Sequence, residues 1–443
     1  QTAYEKGGSE RNFGLFSLGQ HVIARTGYVC DERTNCANWD VRCLEPPSML
    51  QGAAQERAAA VASVWNGSTA EIASLCSAVS GEGSLTPTSR PPSSVNNHGP
   101  RPGTAPASLK ALRGMAYGAL PCRDFACGER GLASEDIVQE GYKELWGAEG
   151  RDDLGLIAGL GANTVRLYHT MGLTASTDHS PFLNRARDLG LQVLLGYHTE
   201  NANYPTDCPA FDCFETWKAA TLHGLRVGLQ EGNSWHPAVS MLILLNEPDF
   251  FTTKPKCIPA GPWCRVKAVL SALDGVLAAE AEAGISAGSV CLSVTWSFGM
   301  DTSIDGTVQG AGLFGFQDMA VIIEDPSLAQ YQPRTSLSKL QEAYRSRWIH
   351  GLNARAPWSY VEQMVTRSYD KFAPIPWYLG EYAGNDEDEA SIQASLQSMN
   401  QRAAEGGYFM GVVVKQFQTP HWKGGAEVNF GLFKLGSERL GDT

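Results

Sequence analysis

Two glutamates offer the clearest chemistry in this sequence, because each closely follows an apolar run typical of a buried strand. Glu247 follows the run 241–245, and Glu381 follows the run 376–379. Two carboxyl groups roughly 5 to 5.5 Å apart can cleave a glycosidic bond with retention, since one protonates the leaving oxygen while the other attacks the anomeric carbon. Either glutamate alone could instead form a strand-end salt bridge. The pair, in this order and context, favours the catalytic interpretation.

Glutamates so far apart in sequence can meet only where a fold brings strand ends together. In a parallel barrel the C-terminal ends of all strands converge on one face. Six further runs are typical of strands and mostly alternate with helix-like segments such as 152–160. We therefore predict an α/β chain with a (β/α)8 TIM barrel over about residues 110 to 436. The predicted strands occupy residues 111–118, 163–169, 191–198, 241–246, 290–296, 347–353, 376–381 and 411–418.

With both glutamates on such strands, roughly three quarters of the chain resembles the glycoside hydrolases of clan A. The resemblance implies that Glu247 is the acid/base and Glu381 the nucleophile. It also implies that Asn246 binds the sugar 2-hydroxyl and that Arg166, on the second strand, steadies the nucleophile. An arginine beside Glu381 would lower the pKa of that carboxyl, whereas a drier site would raise the pKa of Glu247. Arg166 could instead form an ordinary ion pair at the barrel rim.

Other strand-end residues are candidates for substrate binding. A histidine or tyrosine there either binds sugar hydroxyls or packs with a satisfied hydrogen bond, and both interpretations stay open. Aromatic rings can stack on the apolar faces of pyranose rings, but with eleven Trp in the chain several must be core residues. Trp422 lies just past the eighth strand and ranks first among the aromatic candidates, because the resemblance to clan A implies a sugar platform in that region. The polar candidates are Tyr197, His198 and His350, and the aromatic ones are Trp296, Trp358, Tyr382 and Trp422.

The substrate expectation rests on a local pattern. Residues 150–168 are similar to β-1,3-glucanases and β-1,3-glucanosyltransferases, so we expect a β-glucan, as polysaccharide or oligosaccharide. The chain departs from those families at Pro248, which follows Glu247 as in cellulases and mannanases and leaves the linkage open. Hydrolysis and transglycosylation share a covalent glycosyl-enzyme intermediate, so the sequence does not separate them.

The two ends of the sequence repeat each other. Residues 1–19 match residues 418–436 at a constant offset of 417, with thirteen of nineteen positions identical. A fixed long period is typical of tandem duplication, so we expect one unit of a tandem array with neighbouring copies as partners. Alternatively, both copies belong to one fold. The repeat also favours a second hypothesis, in which the barrel is a repeating structural or sugar-binding unit of an extracellular assembly.

Between the first repeat and the barrel lie two segments of different composition. Residues 20–79 hold four cysteines and helical patterns at 51–65 and 71–79, which predict a small helical module with two disulfides. This module is either a carbohydrate-binding appendage or the outer helix that finishes the barrel. Residues 80–108 are rich in Pro, Ser and Gly and predict an extended linker, so the barrel domain spans 109–443.

The cysteines indicate an oxidising compartment. Close pairs predict disulfides, and their spacing does not form a zinc site, so we expect neither metal nor cofactor. We expect a processed, secreted protein, extracellular or in a cell wall, in which the sequon at 66–68 is compatible with glycosylation. A net charge of −12 argues against nucleic-acid binding, and no apolar run is long enough for a membrane span. The pairs are Cys122/Cys127, Cys208/Cys213 and Cys257/Cys264, which leave Cys291 as a buried free thiol.

Overall fold

Eight parallel strands close into a barrel in which each strand pairs with its neighbours in chain order. The computed structural model describes residues 40–45, 60–65, 109–118, 136–171, 178–197, 208–251, 263–286, 290–298, 313–383, 388–420 and 430–442. All eight strands predicted from the sequence are confirmed. They are β1 (Leu112–Ala116), β2 (Thr164–Arg166), β3 (Gln192–Gly196), β4 (Val239–Asn246), β5 (Cys291–Phe298), β6 (Trp348–Ala354), β7 (Trp377–Tyr382) and β8 (Phe409–Val414).

Helices cover the outside of the barrel, and several begin at a side-chain cap. Asp152 accepts a hydrogen bond from the Gly155 N–H at 3.3 Å, and Asp388 accepts one from the Ser391 N–H at 2.8 Å. The helix predicted at 152–160 is confirmed. The α-helices are α1 (Lys143–Trp146), α2 (Asp153–Gly159), α3 (Ser180–Asp188), α4 (Phe214–Gly224), α5 (Pro248–Phe251), α6 (Cys264–Glu282), α7 (Leu313–Ile322), α8 (Leu337–Arg347), α9 (Trp358–Ser368) and α10 (Glu389–Ala404).

Short elements complete the connections between these helices and strands. A π-helical turn at Leu225–Leu229 leads into a small hairpin, Gln230–Glu231 paired with Ser234–Trp235. Together with the capped helices, these elements bring the chain back to the start of the next strand. The 3₁₀-helices are Glu140–Tyr142, Pro209–Phe211, Pro326–Ala329 and Tyr369–Lys371.

Two apolar layers form because side chains alternate across each strand. One layer fills the barrel interior, with Ile349 on β6 and Tyr378 on β7 among its members. The other lies between the strands and the helices and includes Trp348 and Leu352 of β6. Within the regular part of each strand, this alternation decides which side chains can face the barrel axis.

Part of the chain before β1 packs on the barrel. The strand Asp40–Glu45, which the sequence did not predict, pairs antiparallel with Lys434–Asp442. Residues 60–65 are helical and join the apolar layer outside the strands. The first repeat at 1–19 and the predicted linker at 80–108 lie outside the described residues.

Several of the cysteines in the predicted pairs lie in the described residues. The Cys208–Cys213 disulfide is confirmed, and Cys291 is a buried free thiol as expected. Cys264 is disulfide-bonded, and its predicted partner Cys257 lies outside the described residues. The pair Cys122/Cys127 lies outside them too. Among the helices that the structure describes, none is both long and apolar enough to cross a bilayer.

Candidate active site

The strand ends bring four of the sequence-predicted site residues together. Arg166 ends β2, Asn246 ends β4, Glu247 follows it at once, and Glu381 lies near the end of β7. The Arg166 guanidinium links the strands, because its Nη1 lies 3.4 Å from Glu381 Oε1 and its Nη2 donates to Asn246 Oδ1 at 2.6 Å. Arg166 is almost fully buried, so this is an interior ion pair and not one at the barrel rim.

A change of register turns Glu381 into the site. Regular alternation from the interior residue Tyr378 would point Gly380 inward and Glu381 outward. The pairing of β7 with β6 shifts between Leu379 and Glu381, and the Glu381 carboxylate instead meets the Arg166 guanidinium. A Cβ at Gly380 would come within 2.6 Å of Thr295 Cγ2, so no larger residue fits beneath the nucleophile candidate.

Glu247 reaches the same site by a second irregularity. The pairing of β4 with β5 shifts between Ile243 and Asn246, and Glu247 adopts a left-handed backbone with φ 51°. Its N–H donates to the Thr295 carbonyl at 2.6 Å. The following α5 helix is tied to β5, because the Asp249 carboxylate accepts from the backbone N–H of Ser297 at 3.0 Å. These contacts hold the acid/base candidate in a conformation that few non-glycine residues adopt.

The Glu381 carboxylate lies among donors and cations. Its Oε1 accepts from the Tyr168 hydroxyl at 3.0 Å, and its Oε2 lies 3.1 Å from Lys415 Nζ. Burial alone would raise the pKa of Glu381, but the positive charges of Lys415 and Arg166 outweigh it and lower that pKa to about 2. The carboxylate is therefore ionised across the ordinary pH range.

Glu247 has the opposite environment. Its Oε1 accepts one hydrogen bond, from Asn353 Nδ2 at 2.9 Å. Burial, and after it the negative charge of Glu381, raises the pKa of Glu247 to about 7. A carboxyl with this pKa can both donate and accept a proton near neutrality.

Two asparagines, Asn246 and Asn353, link Glu247 to the Arg166 guanidinium. Asn246 Oδ1 accepts from Arg166 Nη2 at 2.6 Å, from Thr295 Oγ1 at 2.7 Å and from Asn353 Nδ2 at 3.0 Å. Asn353 Oδ1 in turn accepts from Arg166 Nη1 at 3.2 Å. With its carbonyl oxygen held by these donors, the Asn246 amide has a fixed orientation, and only its N–H groups remain to bind a substrate oxygen.

Lys415 is held by the segment after β8. Its N–H donates to the Tyr382 carbonyl at 3.0 Å, and its Nζ lies 5.0 Å from the centre of the Phe430 ring. Phe430 is buried, and its carbonyl accepts from the Gln416 N–H at 3.0 Å. The second repeat, 418–436, thereby supports the lysine that contacts the nucleophile candidate.

Two of the strand-end candidates, His350 and Tyr197, lie in the packing outside the barrel. His350 shares the outward side of β6 with Trp348, stacks on Phe316 at 4.3 Å and has a pKa lowered by burial to about 3. Tyr197 bonds Thr221 Oγ1 at 2.7 Å. Their side chains face helices because strand alternation directs them away from the axis.

The described aromatic candidates are also packed outside the barrel. Trp296 is 1% exposed and lies against Gly315, where a Cβ would overlap its ring. Trp358 stacks on Trp377 at 6.0 Å between ring centres, and Tyr382 is 2% exposed in the same layer. None of these three rings has the open face that a stacked sugar needs. The remaining candidates, His198 and Trp422, lie outside the described residues.

Three residues at the site were missed by the sequence analysis: Tyr168, Asn353 and Lys415. A signal existed for two of them. Tyr168 follows Arg166 by two positions and so shares its side of the strand, and Asn353 lies on the inward side of β6, opposite in parity to His350. Lys415 had no comparable signal, because its contact with Glu381 depends on the path of the chain after β8.

Together, the fold and the site define a (β/α)8-barrel protein with one ionised and one protonatable carboxyl at the C-terminal strand ends. Among the described residues, no cluster of His, Cys, Asp or Glu is arranged to hold a metal ion. No protein-family model and no curated protein sequence matches the chain.

Solved structures that resemble the chain include enzymes acting on glycosides. A β-glucosidase from Thermotoga maritima is 13% identical, with 75% of this chain and 94% of that chain covered and a TM-score of 0.44. A glycoside hydrolase family 17 β-1,3-glucanosyltransferase from Rhizomucor miehei is 13% identical, with 73% and 93% covered and a TM-score of 0.39. A further β-glycosidase is 14% identical, with 75% and 91% covered and a TM-score of 0.42.

Proposed function

We propose that the chain is a retaining glycosidase or transglycosylase of the clan A type, acting on a β-glucan. The observation that carries the proposal is the opposite ionisation of two neighbouring carboxyl groups. Glu381 has a pKa of about 2 and Glu247 a pKa of about 7, and the charge of Glu381 contributes to the raised value of Glu247. Such a pair divides the roles of nucleophile and proton donor.

The low pKa of Glu381 supports retention over inversion. An inverting enzyme needs its second carboxylate to remove a proton from water, and a base is most effective when its pKa lies near the working pH. A carboxylate whose pKa is held well below its usual range by neighbouring cations is a weak base. It can still attack an anomeric carbon, and it is a good leaving group in the second step. Nucleophilic catalysis therefore suits Glu381 better than general base catalysis.

The reaction proceeds in two balanced steps. In the first, a Glu381 oxygen bonds to the anomeric carbon, the glycosidic bond breaks, and the Glu247 proton passes to the leaving oxygen. In the second, Glu247 removes a proton from water or a sugar hydroxyl, whose oxygen attacks the anomeric carbon and releases the Glu381 carboxylate. Water gives hydrolysis, and a sugar hydroxyl gives transfer.

Asn246 and Tyr168 have supporting roles. The orientation of the Asn246 amide directs its N–H groups toward a sugar hydroxyl, where a hydrogen bond would strengthen as the oxocarbenium-like transition state forms. The Tyr168 hydroxyl donates to Glu381 Oε1 and fixes the plane of the carboxylate. Both residues thereby restrict the geometry of attack.

The β-1,3 linkage is the finer part of the proposal and rests on the pattern at 150–168. Two charged residues of that pattern, Arg151 and Asp153, are buried: Arg151 Nη2 donates to Asp153 Oδ2 at 2.6 Å and to Gln418 Oε1 at 3.0 Å. They therefore join α2 to the segment after β8. Secretion, or location in a cell wall, is supported by the Cys208–Cys213 disulfide, because such bonds persist in oxidising compartments.

Product analysis tests the proposal directly. Wild-type protein and the isosteric variants Glu247→Gln and Glu381→Gln are incubated with laminarin, mixed-linkage glucan, cellulose and mannan oligosaccharides. Mass spectrometry separates shorter products, which indicate hydrolysis, from longer ones, which indicate transfer. NMR shows the anomer formed first.

We expect the wild type to release the β-anomer first, and both variants to lose turnover. Early α-anomer would contradict retention. Binding of a glucan by the wild type without turnover would instead favour the second candidate, a repeating sugar-binding or structural barrel, which the terminal sequence repeat supports.

A further inference from the structure

The eighth helix position of the barrel is filled from an unusual part of the chain. In a (β/α)8 barrel each strand is followed by a helix, and the eighth helix lies between the seventh and the first. After β8 the described residues 415–420 and 430–442 contain no helix, and they lead instead into the strand Lys434–Asp442. Within the described residues, the helix at this position comes from the part of the chain before β1.

Residues 60–65 occupy this position. Ser63 Oγ accepts from Gln393 Nε2 of α10 at 3.4 Å, so one side of the short helix meets the helix that follows β7. The Trp65 carbonyl lies directly against Gly161, at the turn after α2, where a Cβ would overlap it. The short helix therefore lies between the helix after β7 and the helix after β1.

The burial of residues 60–65 is typical of a helix that belongs to the barrel. Val61 is 0% exposed and Trp65 is 3% exposed, and both belong to the apolar layer between the strands and the helices. Ser63 is the one exposed residue in 60–65. An appendage tethered only by a linker would leave more of this surface in water.

The strand pairing outside the barrel also indicates how a chain could run from β8 to this helix. In the antiparallel pair outside the barrel, Asp40 lies opposite Asp442 and Glu45 lies opposite Lys434. A chain that ran from Asp442 into Asp40 would therefore form a simple hairpin. Residues 60–65 follow the second strand of that hairpin in the sequence. The order of β8, the hairpin and the helix is the order that an ordinary barrel would have.

We propose that residues 40–45 and 60–65 belong to the connection that follows β8 and supply the eighth outer helix of this barrel, although they precede β1 in the chain, and that a second copy of the chain can supply them. The sequence repeat carries the second part. The segment 418–436 leads into the strand Lys434–Asp442, and its repeat at 1–19 precedes Asp40–Glu45. When two copies are joined through the repeat, residues 40–45 and 60–65 of the following copy continue the preceding barrel in order. This inference does not depend on the proposed activity.

Chain length allows the segment to close on its own barrel or on another. Residues 66–108, 43 positions by numbering, lie between the helix and the barrel domain. Fully extended, a segment of that length spans about 140 Å. Closure on the same barrel and exchange between copies are therefore both within reach of the chain.

The test uses the full chain with a specific protease site inserted at 80–108. After cleavage we expect the N-terminal fragment to stay with the barrel on a sizing column. Val61→Ala should weaken this retention at least about tenfold, because it removes buried methyl groups from the apolar layer. Ser63→Ala is the matched control, since it removes one exposed, long hydrogen bond to Gln393 and no buried methyl group, and it should weaken the retention far less than Val61→Ala. A fragment that leaves without any change in the melting temperature of the barrel would overturn the eighth-helix assignment.

Exchange between copies is tested by mixing cleaved protein of natural isotope content with cleaved ¹⁵N-labelled protein. We expect native mass spectrometry to detect hybrids of a labelled barrel with an unlabelled fragment below the melting temperature, and faster hybrid formation for Val61→Ala than for Ser63→Ala. Absence of hybrids in all three proteins until the barrel melts would overturn the second-copy part of the proposal.

Discussion

The two sides of the site hold the same functional group in opposite states. On the β7 side, the Glu381 carboxylate contacts two cations and a phenol. On the β4 side, Glu247 accepts from one neutral amide. Burial favours the protonated form on both sides, so the placement of Lys415 and Arg166 decides which carboxyl is ionised. The proposed acid and the proposed nucleophile therefore differ through their neighbours and not through their depth in the barrel.

Loss of the Glu381 carboxylate should have the largest effect on activity. Glu381→Gln keeps the shape of the side chain but removes the proposed nucleophile, so we expect kcat/KM on the best glucan substrate to fall on the order of 10⁴-fold or more. The same change removes a negative charge that raises the pKa of Glu247, so that pKa should fall. Activity assays and NMR titration of Glu247 measure the two effects. An unchanged Glu247 pKa would contradict the electrostatic coupling of the two sides.

Lys415, whose charge makes the two carboxyl groups differ in ionisation, is the second residue to substitute. Lys415→Met should raise the pKa of Glu381, because Lys415 is the largest influence that lowers it. Activity requires ionised Glu381, so the acid limb of kcat/KM should move to higher pH, and the rate at the optimum should fall by roughly 10². Lys415→Arg is the matched control that keeps the charge. If both variants show the wild-type acid limb, Lys415 does not tune the nucleophile.

A smaller change is expected on the neutral side. Activity requires protonated Glu247, so the wild-type rate should decline as pH rises through about 7. Asn353 donates to Glu247 and lowers its pKa. Asn353→Ala should therefore move the basic limb to higher pH while leaving the acid limb in place. Movement of both limbs together would mean that Asn353 acts on the two carboxyls alike.

The sequence predicted the barrel and the residues common to both sides, but not the contrast between them. Apolar runs and helix signals located all eight strands, and the position of a glutamate after such a run located Glu247 and Glu381. The register shifts near Gly380 and Asn246 reverse the side-chain direction at the strand ends, and no local propensity encodes them. The Lys415 contact depends on a chain path after β8 that has no periodic pattern. Tertiary contacts of this kind decide ionisation, and they are not visible in sequence.

The smallest effect on activity is expected from a substitution in the apolar layer between the strands and the helices, outside the site. His350 is fully buried outside the barrel, and burial lowers its pKa to about 3. It is therefore neutral in the folded state, whereas in the unfolded chain it gains a proton below about 6.5. Stability should fall as pH drops from about 6.5 toward 3, by up to roughly 1.4 kcal/mol per pH unit from this group. His350→Phe keeps an aromatic ring against Phe316 and removes that dependence.

Urea unfolding at pH 7 and pH 4.5 measures the difference. We expect the variant to lose less stability than the wild type on acidification, and to keep kcat/KM within about twofold at pH 6. Tyr344→Phe is the matched control, because it removes the hydroxyl that bonds His350 Nε2 but leaves the imidazole in place. It should keep most of the pH dependence. A large loss of activity in His350→Phe would return the histidine to the substrate-binding role that its position at a predicted strand end suggested, and would show that the outer layer and the site are coupled.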